Sequence, residues 1–256
     1  MSSSDGWSPE TYARFASHRT APFEALLELV SPCPGGSLLD LGCGTGALTT
    51  RAHARLGVAS SLGLDSSAAM LDAGQGTAGV TLERRELPQE LPADRRFDRV
   101  LSNSAFNWLP DHRALLPRVL ALVAPGGELA VQMPSNQGTP FSDAALEAAT
   151  AFSRELDGWV YRSPVEPPEL YAELLARDAR VVSSRVGTWY FPQLHPSVDG
   201  LVDFARGGLL SGYRARLPAG DFERFCAAYR AGLARRLGDG PVFFAFRRLF
   251  LFAKVA

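Results

Sequence analysis

The 256-residue chain has little cysteine, a single lysine, no excess of either charge and no long uninterrupted apolar run. Cys33, Cys43 and Cys226 stand far apart and form no CxxC pair, which leaves no basis for a disulfide framework or a zinc motif. His18, His53, His112 and His195 are equally scattered, so no sequence-local metal motif exists and no metal is expected. The most apolar stretch, Val242 to Ala256, is cut by Arg247, Arg248 and Lys254 and does not read as a membrane span. With 26 basic and 27 acidic residues the net charge is −1, and no basic stripe with interleaved aromatics occurs. That argues against a nucleic-acid partner or an anionic membrane surface. Met1 to Gly6 is polar and lacks the order of a secretory signal, so a cytoplasmic protein is expected, with no obligate protein partner evident. Lys254 is the only lysine among the 26 basic residues; arginine is the default cation here, and any one arginine carries less information than usual.

What is present fits a globular core. Hydrophobic residues make up 46% and charged residues 21% of the chain. From Ser37 to Pro134, short apolar runs alternate with helical stretches. Strands are expected at Leu38–Leu41, Ser61–Asp65, Val80–Leu82, Phe97–Ser102 and Glu128–Met133. Helices are expected at Ala47–Leu56, from Ser66 or Ser67 through Leu71, and from Asp111 to about Val123. Pro125-Gly126-Gly127 reads as a turn before the fifth strand. Such alternation predicts an α/β fold with a mostly parallel sheet covered on both faces. Beyond Pro134 the rhythm changes. Helices are expected near Asp143–Leu156, Pro168–Arg177 and across much of 196–238, with β-like runs at Val181–Phe191 and Val242–Ala256. The reading is a single domain: a helical N-terminal cap over 1–30, a cofactor-binding core over 37–134, cap insertions at 135–165 and 196–240, and a final strand at 242–256.

The most informative segment is Leu39-Asp40-Leu41-Gly42-Cys43-Gly44-Thr45-Gly46. Glycines at 42, 44 and 46 let the chain turn tightly from strand to helix and let a ligand approach the backbone. The helix N–H groups that follow offer donors to a carboxylate or phosphate. Asp65, 19 residues past Gly46 at the end of the next strand, is placed to accept hydrogen bonds from ribose hydroxyls. A bare GxGxG pattern is weak, and the dinucleotide fingerprint GxGxxG competes for it, but Ala47 follows Gly46 directly and the pyrophosphate pattern stays incomplete.

The string Asp40-Leu41-Gly42-Cys43-Gly44-Thr45-Gly46 resembles the first motif of the class I S-adenosylmethionine-dependent methyltransferases. Gly63-Leu64-Asp65-Ser66 resembles their following acidic motif, and Leu122 to Gly127 the turn before their fifth strand. This resemblance implies a Rossmann-like, doubly wound sheet of seven strands with the last antiparallel, and S-adenosylmethionine as cofactor, released as S-adenosylhomocysteine. It also implies a cofactor site of Asp40, Gly42, Cys43, Gly44, Gly46, Asp65, Ser66, Glu86, Leu87 and Asn103. Within it, Asp40 and the glycine loop would face the methionine part, Asp65 the ribose and Glu86 the adenine, with Asn103 near the transferred methyl. Glu86 stands where the family more often has aspartate.

Further segments narrow the resemblance: Trp7 to Arg19, Asn107 to His112, Val131 to Asn136 and Phe244 to Phe250 are similar to the trans-aconitate 2-methyltransferase family. The implied reaction is O-methylation of a carboxylate on a small polyacid such as trans-aconitate. A carboxylate is already ionised near neutral pH, so orientation rather than a general base would carry catalysis and no catalytic residue is assigned. Substrate contacts would come from Trp7, Tyr12, Phe15, Arg19, Trp108 and Tyr190, with Arg19 as the carboxylate-binding cation. Tyr171 could reach the substrate from the lid side, but a core position is the commoner reading for such an aromatic. Arg247 and Arg248 read as solvated or paired. Where the family carries a Gly-Leu-Arg-Pro-Trp-like string, this chain has Gly208 to Tyr213, so Arg206 or Arg214 would have to replace the missing cation. The alternatives are a methyltransferase acting on another small molecule and a cofactor-binding protein without transfer activity.

Overall fold

The computed structural model describes residues 16–74 and 77–256, with residues 16–19 described by backbone alone. Trp7, Tyr12 and Phe15 therefore lie outside the described residues, as does the side chain of Arg19. The inner strands read as unbroken apolar runs because both their faces are covered. In β1 (Ser37–Leu41) every residue from Leu38 onward is buried, and β2 (Ser60–Asp65) and β4 (Phe97–Asn103) behave alike. With β3 (Val80–Arg84), β5 (Val123–Pro134), β6 (Val181–His195) and β7 (Val242–Val255) they form a seven-stranded sheet in the order β3-β2-β1-β4-β5-β7-β6. Strands β1 to β5 pair in parallel, and β7 runs antiparallel to β5. This is the doubly wound sheet the sequence predicts.

Helix α1 (Ala16–Leu27) precedes β1, and α2 (Ala47–Leu56), α3 (Ala68–Asp72) and α4 (His112–Leu120) follow β1, β2 and β4, while β3 leads to β4 without a helix. The α2 boundaries match the expectation. It starts after Gly46 in the left-handed region (φ 73°) and ends at Gly57 (φ 70°). Two boundaries are corrected. Helix α4 ends at Leu120, not near Val123. Pro125-Gly126-Gly127 is not a turn before the strand but a bulge inside β5, where pairing jumps from Phe97↔Val123 to Arg99↔Glu128.

After β5 come α5 (Pro140–Ala151), α6 (Pro168–Arg177), α7 (Val198–Arg206), the short α8 (Ser211–Arg214) and α9 (Ala219–Leu237). Helix α5 begins three residues before the expected Asp143, because Pro140 suits a first helical position and the Ser142 hydroxyl accepts from Thr139 N–H at 3.3 Å. The chain forms two compact units. One comprises 17–135, 164–189 and 248–256, and its core joins Leu39, Leu41, Val100, Val131 and Leu251 of the strands to Leu116 of α4 and Tyr171 of α6. The other includes 136–163 and 190–247 and packs Phe141, Tyr213, Phe225, Tyr229 and Phe244 into its own core. There α5 and α9 approach closely: a Cβ on Gly232 would stand 3.2 Å from the Ala144 Cβ. No helix among the described residues is long and apolar enough to cross a membrane.

Candidate active site at the strand carboxyl ends

In a doubly wound sheet the crevice for a ligand opens where the strand order reverses, outside the carboxyl ends. Here that point lies between β1 and β4. The glycine loop leaves β1 there, and the turn 103–108 leaves β4 beside it. Both Gly42 (φ 81°) and Gly44 (φ 58°) are in the left-handed region. At Gly42 space also forbids any other residue, since a Cβ would run into the Ala105 Cβ. The loop and the turn are thus in backbone-level contact.

Asp65 fastens the loop. Its Oδ2 accepts from Gly44 N–H at 2.8 Å and its Oδ1 from Ser67 N–H at 2.9 Å. Each oxygen keeps a lone pair for a further donor, and the side chain is only partly buried. Ser66, next to it, accepts through its carbonyl from Arg84 Nε at 3.2 Å. Asp40 lies deeper, 5% exposed, and accepts from the Thr49 hydroxyl at 2.5 Å. Burial pushes its carboxyl up to about 6, against the Thr49 hydrogen bond and with repulsion from Asp65 as a smaller contribution. Burial also drives the Cys43 thiol well above its ordinary value, aided by the charges of Asp40 and Asp65. Cys43 is therefore a neutral packing residue whose Cβ excludes any side chain at Gly63, 2.8 Å from where a Cβ would stand.

The turn after β4 is held by amides and a buried cation. Asn103 and Gln132 sit opposite each other at the ends of β4 and β5. Gln132 donates through Nε2 to Asn103 Oδ1 and to Ser104 Oγ, the latter at 3.0 Å. Arg248 on β7, only 3% exposed, donates through Nη1 to Ser104 Oγ at 2.6 Å and to Gln132 Oε1 at 3.2 Å. Ser104 itself adopts φ 61°, an uncommon conformation for a non-glycine residue. The Asn107 carboxamide secures it: its nitrogen faces the Ser104 carbonyl at 3.0 Å and its oxygen the Trp108 indole N–H at 2.9 Å. Arg248 thus corrects the solvated reading. A signal for it exists in the sequence, because 248 falls in period-two phase with Phe244, Phe246, Phe250 and Phe252, all buried.

The remaining sequence candidates divide. Glu86 is half exposed; its own N–H is taken by Glu90 Oε2 at 2.7 Å, and its carboxylate stands 3.9 Å from Arg84. Leu87, beside it, packs on the core. Tyr190, on β6, is 61% exposed. Tyr171 takes the core position: it is fully buried, with its hydroxyl 2.5 Å from His112 Nδ1, and cannot reach a ligand. The Phe106 carbonyl, 2.9 Å from His112 Nε2, can only accept, so that nitrogen carries the proton and Nδ1 accepts from Tyr171. Burial holds His112 below the ordinary histidine value and pushes Tyr171 up to about 12. The replacement cations are also committed. Arg206 binds Glu223 through two hydrogen bonds (2.8 and 2.7 Å), and Arg214 lies over the Phe222 ring at 5.0 Å. Leu210 and Tyr213 are core residues of their unit.

Among the described residues, no group of three or more His, Cys, Asp or Glu could hold a metal ion. A cavity of about 430 Å³ lies elsewhere, lined by Leu62, Leu64, Glu83, Arg85, Leu91 and Arg95 among others, and includes none of the loop glycines.

A methyltransferase-domain family model matches residues 38–127. Over 255 residues the chain is 37% identical to a trans-aconitate 2-methyltransferase of Deinococcus radiodurans, covering 96% of this chain and 97% of that protein. It is 35% identical to the enzyme of the same name from Sinorhizobium fredii, with coverage of 96% and 98%. Among solved structures, the YcgJ protein of Bacillus subtilis superposes with a TM-score of 0.61 at 15% identity, covering 92% of this chain and 98% of that one. Phosphoethanolamine N-methyltransferase 2 of Haemonchus contortus, in complex with S-adenosyl-L-methionine, gives 0.55 at 17% identity, covering 92% and 52%. At these identities the two structures speak for the fold.

Proposed function

The chain belongs to the trans-aconitate 2-methyltransferase family, and from that membership we propose that it transfers a methyl group from S-adenosylmethionine to a carboxylate of trans-aconitate. It is an S-adenosylmethionine-dependent methyltransferase. The observation that carries the reading is the joint between the glycine loop and Asp65. One carboxylate fixes Gly44 through a charge-assisted hydrogen bond and still has lone pairs for a ribose diol. The Gly42–Ala105 approach leaves the loop backbone lying against the turn after β4. These features fit the cofactor: Asp65 would hold the ribose, and Asp40 with the Gly42–Gly46 loop the methionine portion.

When bound, S-adenosylmethionine supplies an electrophilic methyl group on a sulfonium centre. The acceptor carboxylate is ionised at neutral pH, so the protein has no proton to remove. What remains is orientation and control of charge. The side chains at the strand ends suit that task, since Asn103, held by buried Gln132, offers a hydrogen bond without titrating, and neutral His112 is sequestered by Tyr171. Rigid placement is the contribution expected of such a site. Arg19 and Trp108 remain candidates for the acceptor side.

Mass spectrometry tests the reading. Purified protein is incubated with S-adenosylmethionine and trans-aconitate, beside other di- and tricarboxylates. A monomethyl ester of trans-aconitate with stoichiometric S-adenosylhomocysteine is the expected product. Tight cofactor binding with no ester from any of them would overturn the acceptor assignment.

A further inference from the structure

The buried polar cluster behind the turn has a direction. A guanidinium can only donate hydrogen bonds. Arg248 Nη1 lies 3.2 Å from a Gln132 side-chain atom, which must therefore be the carbonyl oxygen. That leaves the Gln132 N–H₂ group facing Asn103 and Ser104, as observed. The Asn103 atom that receives it must then be an oxygen. One end of the Asn103 amide is thereby used, and the other end is necessarily N–H₂. Among the described residues that nitrogen has no hydrogen-bond acceptor, and Asn103 is only partly buried, at the carboxyl end of β4 and two residues before Ala105, against which Gly42 packs. The relay is rigid. Gln132 is fully buried, Arg248 is 3% exposed, and Ser104 at φ 61° is held by both of them and by Asn107.

We infer that Arg248 and Gln132 are positioning residues that fix Asn103 as a hydrogen-bond donor to the acceptor carboxylate. This rests on the proposed polycarboxylate substrate. An asparagine is intrinsically ambivalent, because rotation by half a turn exchanges donor for acceptor. Here the permanent charge of Arg248, two hydrogen bonds away, removes the choice. An Asn103 free to turn would present its oxygen to the carboxylate part of the time and repel it.

Replacing Gln132 by glutamate tests the relay with almost no change in volume. The new carboxylate accepts from Arg248 where the Gln132 carbonyl oxygen did, so the fold is retained. It can no longer donate to Asn103, whose amide must turn its N–H₂ inward and its oxygen outward. The Gln132→Glu variant is therefore expected to raise the KM for trans-aconitate about 10- to 100-fold, the range for a hydrogen bond to a charged group. Affinity for S-adenosylhomocysteine and the midpoint of urea unfolding should stay close to wild type. Arg248→Lys keeps an obligate donor and should recover most of the KM that Arg248→Met loses.

Calorimetric titration of trans-aconitate into S-adenosylhomocysteine-loaded protein reads the same change without turnover. Wild-type binding weakened in the Gln132→Glu and Arg248→Met variants, at constant cofactor affinity, is the result predicted. Wild-type binding matched by a folded Gln132→Glu variant overturns the relay and leaves the function standing. A wild type that neither binds nor methylates any polycarboxylate overturns both.

Discussion

Asp40 is a carboxyl group kept in a place where its charge is disfavoured, and replacing it by asparagine exposes what that costs. Raised from 3.8 to about 6 by burial, the group holds a proton in the folded state at pH values where the unfolded chain has lost it. Between those two values stability must fall as pH rises, and above about 6 the loss is complete. A rise of that size corresponds to about 3 kcal/mol. The Asp40→Asn variant has no such proton to lose. Its stability relative to wild type should therefore grow by about 2.5 kcal/mol between pH 4 and pH 8, the rest of the change lying below pH 4. Any difference in hydrogen bonding to Thr49 shifts the variant's whole curve without changing that increment. The assay is urea unfolding of the cofactor-free protein at a series of pH values, followed by circular dichroism at one ionic strength. Parallel curves for the two proteins would show that Asp40 ionises alike in both states, contrary to this expectation. On the proposed function the retained charge serves the cationic cofactor. The stabilised variant should accordingly bind S-adenosylmethionine more weakly, a trade of stability for function.

Other expectations concern separate parts of the molecule. Asp65→Ala removes the acceptor of Gly44 and the proposed ribose partner, and should weaken S-adenosylhomocysteine binding about 100-fold by calorimetry; unchanged affinity would remove Asp65 from the site. Arg99 and Glu128 form a buried pair at 3.4 Å, with Ser31 donating twice to the carboxylate, so Arg99→Met strands that charge and should cost about 3–5 kcal/mol in urea unfolding. Tyr171→Phe leaves His112 Nδ1 and the Glu166 N–H without their shared partner and should cost about 1–3 kcal/mol, again by unfolding. Because His112 is held neutral when folded, wild type should lose stability as pH falls below about 6.5, a slope that a His112→Gln variant should show less steeply.

The sheet was readable because its inner strands are buried on both faces and so spell themselves as apolar runs between glycine turns. Leu38 to Leu41 and Ala47 to Leu56 fall within a residue of where periodicity and capping put them. The glycine loop was readable for a related reason: glycines at 42, 44 and 46 are required by φ and by close approach to Ala105 and Leu82, so they mark themselves in sequence. The polar end of the sheet was not readable. Whether Arg248 is a surface cation or a buried one depends on Ser104 and Gln132, which lie 144 and 116 residues away in the chain. In an arginine-rich protein no local pattern separates it from Arg247, beyond its phase with the phenylalanines of β7. The core reading of Tyr171 holds, but its partner His112 lies 59 residues away and no local pattern names it.

Methyl transfer to a carboxylate oxygen leaves its mark on the product's methyl carbon, which reports the acceptor directly. Protein would be incubated with trans-aconitate and S-adenosylmethionine carrying ¹³C in the transferred methyl, and the mixture followed by ¹³C NMR. A single new methyl-ester resonance, growing with S-adenosylhomocysteine and lost on mild alkaline hydrolysis, is the predicted result. Cofactor that binds but leaves its label on the sulfonium through the incubation, or delivers it only to water as methanol, would contradict transfer to a carboxylate.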